Sequence, residues 1–400
     1  MIEKYYSGVI EQIYNRIGKE TRNIVMANYS NDFSIENLEV IRRYQSNEDN
    51  VFFAYSEFSY NTLVGAYEPF LDIICNMHRR FIGGSFDEFQ KECGVYYLHR
   101  QVLNSYYETG ECFREETVLL NEVAYEQRRM TMAIADMLKK LSEVKPLMIV
   151  INRFQMASKS SIETIKYLID NPCANIGIVL GVNAIVKGTD STVEVWDRIV
   201  ESLEDRSAIY YIGSAGPLKN NVKTTNDDEL YITMNFEQSI QEASNIMEFL
   251  DFEQARRGCR IIEHKLKFED AWIDEKSLRR FYMVYARTSV LLGEMSKAIE
   301  LTNEYKALIP ENDSEHYLSL YYFMKGTCYM YQGKLEKAGN SAKSAYDYAV
   351  LAEDDTLIFK AELLSVMIKM SGWYNIFFCV QDIPVSDEII EKLIKHGYRN

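Results

Sequence analysis

The 400-residue chain is short of the features that would place it quickly: six prolines, seven cysteines, and no apolar run approaching the roughly 20 residues that span a bilayer. The cysteines, at 75, 93, 112, 173, 259, 328 and 379, form an odd set with no C-x-x-C pair, so neither a disulfide framework nor a zinc ribbon is implied. Reduced thiols fit a cytosolic protein. The N-terminus, MIEKYYSGVIEQIY, carries Glu3 and no apolar signal core. Positive charge is also scarce: 44 Lys and Arg face 59 Asp and Glu, a net charge of −15. Capture of nucleic acid or of an anionic membrane needs a cationic field, so proteins or small molecules are the expected partners. The five histidines show no metal-ligand spacing, and no serine sits in a G-x-S-x-G elbow. No catalytic residue is assigned.

What is present is a core. At 47% hydrophobic residues, the chain is long enough for two or three domains. Ile2, Tyr6, Ile10, Ile13 and Ile17 recur at spacings of three and four, which predicts a leading helix. Five short apolar runs follow, at 22–27, 50–56, 146–151, 175–181 and 207–212, separated by helical-period segments. Near-continuous apolar runs alternating with helices predict a parallel sheet covered on both faces.

The pattern changes near 213. GSAGPLKNNVKTTNDDE is a linker candidate, and from 236 onward only helical periodicity is seen. Gly293, Gly333 and Gly372 stand 40 and 39 residues apart in similar contexts, LLGEMSKAIE, YQGKLEKAGN and SGWYNIFF. A weaker copy, FLDFEQARR at 249–257, puts Ala255 where Ala298 and Ala338 stand. Such a period predicts stacked helix pairs that turn at glycine and approach closely at alanine. The units resemble degenerate tetratricopeptide repeats, with a period longer than the usual 34. The expected organisation is 1–218 α/β domain, 219–235 linker and 236–400 helical repeats. Residues 386–400 read as the first helix of a further pair, which predicts that the chain continues or that a dimer contact covers that end.

A phosphate loop, G-x-x-x-x-G-K-[ST], wraps backbone amides around phosphates, with Lys supplying charge and the hydroxyl binding Mg²⁺. Laid after the first predicted strand, the pattern puts Ala27 at the first Gly, Asn28 to Asn31 in the spacer, Asp32 at the second Gly, Phe33 at the Lys and Ser34 at the Ser/Thr. Only Ser34 fits. The third strand, LMIVINRFQMASKSS, runs into Asn152 and Arg153 where a Walker B strand would end in acids. Asn183 follows the fourth strand at a sensor-like position.

With the strand-loop-helix at 22–42, Tyr67-Glu68-Pro69-Phe70, Gln155, Ala157 and Ser158 after the third strand, and Gly216-Pro217-Leu218, residues 1–218 resemble the P-loop domain of STAND and AAA-type ATPases of bacterial signalling proteins. That resemblance implies an α/β P-loop NTPase-like domain followed by tetratricopeptide-like repeats. It implies a pseudo-ATPase scaffold without a cofactor, whose repeats bind a protein or peptide. The alternative it implies is a switch that still binds ATP or ADP with Mg²⁺ through Ser34, Asn152 and backbone donors to control an output domain. The tyrosines, 29 in all, predict helix-interface packing for most and a Tyr-lined groove for some.

Overall fold

The computed structural model describes residues 2–30, 38–46, 50–59, 63–112, 122–183, 193–213, 215, 235–268, 273–312 and 314–375. The chain divides into two compact units, 1–273 and 274–400.

The first unit is built on a five-stranded sheet of β1 (Ile24–Tyr29), β2 (Phe52–Glu57), β3 (Leu147–Asn152), β4 (Ile176–Asn183) and β5 (Ile209–Ile212). The order is β2-β3-β4-β1-β5 and every pairing is parallel. All residues of β3 and β4 are buried, as a sheet covered on both faces requires. One face is covered by α1 (Ile2–Arg16) and α2 (Glu39–Ser46). Tyr6, Val9, Ile10 and Ile13 of α1 pack with Val25, Ala27, Tyr29, Met148, Val150 and Val179. Tyr14 stacks on Tyr44 of α2 with ring centroids 3.9 Å apart. Residues of opposite phase, such as Met26, Ile149, Ile151, Ile178 and Leu180, are buried as well. Their cover is the layer of α3 (Phe70–Met77), α6 (Val123–Val144), α7 (Lys159–Asp170) and α8 (Val193–Glu204), which pack side by side in that order. Two further helices, α4 (Phe86–Glu92) and α5 (Tyr97–Thr109), pack on each other before α6.

The division between units falls at 273/274, later than the predicted linker. The helix pair α9 (Phe236–Glu248) and α10 (Phe252–Phe268) therefore belongs to the sheet unit. Polar side chains hold it there: Asn245 Nδ2 donates to Gly110 O at 3.1 Å, and Gln254 Nε2 donates to Val64 O at 2.9 Å. Most of the predicted linker, along with Gly216-Pro217-Leu218 and 386–400, lies outside the described residues.

The second unit is α11 (Glu275–Leu291), α12 (Met295–Ala307), α13 (Ser314–Tyr331), α14 (Leu335–Leu351) and α15 (Asp355–Asn375). Successive helices pack on one another. Gly293 and Gly333 sit at the α11–α12 and α13–α14 turns with φ of 78° and 72°. Each closes the preceding helix in the same way. Gly293 N donates to Val290 O and Glu294 N to Ser289 O, and Gly333 N donates to Met330 O and Lys334 N to Tyr329 O. This is the Schellman pattern, which favours glycine at the left-handed position. The α9–α10 turn repeats it with Leu250 at φ 69°, and the α14–α15 turn with Glu353 at φ 53°. Ala255, Ala298 and Ala338 are fully buried, as close helix approach demands. Gly372, by contrast, lies within α15 and not at a turn. Tyr285, Tyr305 and Tyr321 are buried between helices, and Tyr322 stacks on Tyr348 at 5.6 Å.

No atom stands within 4 Å of a Cβ added at Gly333, so backbone conformation alone sets the cost of a side chain there. Gly333→Ala should destabilise the protein by about 1 kcal/mol, and Glu353→Gly should stabilise it by a similar amount. Chemical denaturation checks both, and a Gly333→Ala variant as stable as the parent would contradict the turn assignment.

Candidate functional site

In parallel α/β sheets, ligands bind in the crevice outside the carboxyl ends of the strands. At that edge β1, β4 and β3 end in Tyr29, Asn183 and Asn152, with Tyr29 directly opposite Asn183. The structure thus brings Asn28, Asn152 and Asn183 to one end of three adjacent strands. It does so with their side chains inside the protein: all three residues are at most 2% exposed.

Asn152 is tied down from across the sheet. Tyr29 Oη donates to Asn152 Oδ1 at 2.5 Å, and the Tyr6 ring of α1 meets the Tyr29 ring edge-on at 6.3 Å. Gly181 of β4 makes the room for this cluster. A Cβ there would stand 2.5 Å from Tyr6 Oη and 2.9 Å from Asn152 Oδ1, so the position tolerates no side chain. The Tyr6 phenol is driven well above its usual range by burial first, then by Tyr29, Tyr55 and Glu57, and it stays a neutral hydroxyl. Main-chain amides add two bonds at these strand ends: Phe58 N donates to Asn152 O at 3.2 Å, and Asn183 N donates to the buried Gln155 Oε1 at 3.3 Å.

Arg153, just past β3, adopts a left-handed conformation with φ 54°. Its guanidinium lies 3.0 Å from the Glu57 carboxylate at the end of β2 and donates to Phe58 O at 3.3 Å. Glu57 also accepts from the Tyr55 hydroxyl. The cation at this edge is therefore matched by a carboxylate of the protein itself. Asn152 has no proton to exchange at neutral pH, and an arginine side chain does not deprotonate in proteins. Neither can serve as the base or the metal-binding carboxylate of a hydrolytic site.

The loop assignment changes in one respect. β1 runs to Tyr29, so Ala27 and Asn28, expected to open a loop, are strand residues paired with Gly181 and Val182. Burial extends the strand, because Asn28 and Tyr29 continue the ladder as far as β4 runs. Asp32, Phe33 and Ser34 lie outside the described residues. Tyr6, Tyr29, Tyr55 and Glu57 were not singled out as site residues from the sequence. Tyr6 did carry a signal, as the one polar-tipped member of the apolar stripe of α1.

The class that fold and site define is a parallel α/β sheet unit in which Asn28, Asn152 and Asn183 are buried at the carboxyl ends of the strands, followed in sequence by a helical unit. No protein-family model, curated protein or solved structure matches the chain. Among the described residues no helix is long and apolar enough to cross a membrane.

Asn152→Asp would place a carboxylate at a site with no exposure, opposite Glu57 in the neighbouring strand. Burial and Glu57 raise its folded pKa above the unfolded value near 4, so the cost is small at low pH and grows as pH rises. The expected loss is on the order of 3 kcal/mol at pH 8 and less at pH 5, read by urea unfolding. An equal loss at both values, or none, would contradict the buried placement.

Proposed function

We propose that this chain is a non-catalytic signalling scaffold, in which a P-loop-like domain has become a structural support and the helical repeats bind a protein or peptide. The observation that carries this reading is the Tyr29–Asn152 hydrogen bond. At the end of β3, where an ATPase of the resembled family needs an acid for Mg²⁺, stands a buried amide whose oxygen is engaged by a tyrosine. The adjoining Arg153 is held by Glu57. A phosphate or metal ion entering there would have to displace bonds already made within the protein, and desolvated partners are costly to leave unmatched. The fold alone would leave the choice open, since one fold hosts many functions.

In the second unit, the reading rests on stacked helices with repeated turns, an architecture that presents extended surfaces to partners. Half-buried tyrosines such as Tyr317, Tyr322 and Tyr329 supply the amphipathic rings favoured in such contacts.

The alternative is a regulatory switch that retains ATP or ADP. Titration calorimetry of the full chain with Mg-ATP and Mg-ADP separates the two. The scaffold reading expects no binding heat up to millimolar nucleotide, and saturable submillimolar binding would overturn it.

A further inference from the structure

Away from the sheet edge, a cavity of about 240 Å³ lies between α9, the turn at 63–69, α3 and α5. Leu63, Ala66, Leu71, Ile246 and Phe249 give it apolar walls. Three acids enter it: Glu68 from the turn, Asp72 from α3 and Glu242 from α9. Among the described residues no lysine, arginine or histidine lines it.

The two glutamates converge on Gly65. A Cβ at that position would lie 2.9 Å from Glu242 Oε1 and 3.4 Å from Glu68 Oε2. Glu68 accepts from Gly65 N at 2.8 Å, and Asp72 accepts from the Tyr106 hydroxyl at 3.0 Å. Among the described residues the charged neighbours that act on Glu242 are Glu68 and Asp72, both of its own sign.

The remaining titratable groups on the packed elements do not relieve this. The Tyr106 phenol of α5 is driven up by burial first and then by Asp72, so it stays neutral. The Cys75 thiol, on α3 beyond Asp72, is pushed up to about 12 by burial and is neutral as well. Helix α10 packs on α9 and carries Arg256, Arg257 and Arg260, none of which lines the cavity. Asp72 is exposed, but Glu68 and Glu242 are half-buried, and ionising both against each other beside these apolar walls is disfavoured.

We infer that Glu242 and Glu68 hold one proton between them, and that its release loosens α9 from the 63–72 segment, so that this helix works as a proton-operated latch. Geometry and titration agree. The Glu242 carboxyl is pushed up to about 7, by burial first and then by Glu68 and Asp72, and that of Glu68 is raised, by burial first. A folded pKa above the unfolded one means the docked helix binds a proton that the undocked helix gives up. Docking is tightest below the ordinary carboxylate range, weakens as pH rises toward 7, and levels off above it. Other contacts keep α9 from unfolding outright. Asn245 Oδ1 accepts from Cys112 N at 2.9 Å, and Phe249 packs edge-on against Tyr67 and Tyr106. The latch is independent of whether the sheet edge takes a nucleotide.

Hydrogen exchange on the full chain from pH 5 to 8.5 tests it, with protection factors for α9 compared with those of α6. For the parent, α9 protection should fall about tenfold per pH unit between about 5 and 7, as one proton requires, and stay level above. Glu242→Gln should abolish the fall. Glu68→Gln should move it to lower pH, which keeps the test open if the first variant does not fold. A pH-independent α9 in the parent, a slope retained in Glu242→Gln, or an unmoved slope in Glu68→Gln would overturn the inference.

Discussion

The sheet unit is organised around one buried hydrogen bond, from Tyr29 Oη at the end of β1 to Asn152 Oδ1 at the end of β3. Between these strands lies β4, so the bond reaches across a neighbour, and Gly181 of β4 has to lack a side chain beneath it. Tyr6 from α1 packs into the same space, which couples the seating of that helix to the strand ends. The net gain from such a bond is modest, about 1 kcal/mol, but an orphaned amide or hydroxyl in this position would cost about 1–3 kcal/mol. The Tyr29–Asn152 pair is stable when both groups are present and costly when one is removed. A binding crevice needs donors and acceptors left facing solvent, and here the Asn152 amide oxygen faces the Tyr29 hydroxyl instead.

A second buried polar group explains why α9 and α10 belong with the sheet. Asp251, in the turn between them, accepts from Ser160 N at 3.0 Å and from Gln254 N at 3.4 Å, so one carboxylate serves the amino ends of both α7 and α10. The serines of α7 extend the join: Ser160 Oγ accepts from Tyr67 N at 3.0 Å, and Ser161 Oγ donates to Glu68 O at 2.7 Å. The 63–69 turn is thus held from one side by α7 and from the other by the helix pair. This fixes the geometry in which Glu68 and Glu242 meet.

Much of the sheet was legible because burial on both faces writes itself as an uninterrupted apolar run, as in β3 and β4. The end of β1 was not, because Asn28 and Tyr29 look like loop residues until their partners on β4 are known. The repeated turns were legible where glycine marks the left-handed position, at 293 and 333. They were hidden where Leu250 and Glu353 adopt the same conformation. Gly372 misled for the opposite reason, since a glycine also fits inside a helix. The loss of acids at Asn152 and Arg153 could be read directly, but their partners Tyr29 and Glu57 stand about a hundred residues away in sequence. No local pattern carries such pairings.

The central claim, that the Tyr29 hydroxyl engages the Asn152 amide at the carboxyl end of β3, is tested most directly by a double-mutant cycle. Tyr29→Phe, Asn152→Ala and the double variant would be unfolded in urea alongside the parent. A coupling energy of about 1 kcal/mol or more between the two positions is expected for a buried bond of this kind. Additive losses, with coupling indistinguishable from zero, would contradict the account.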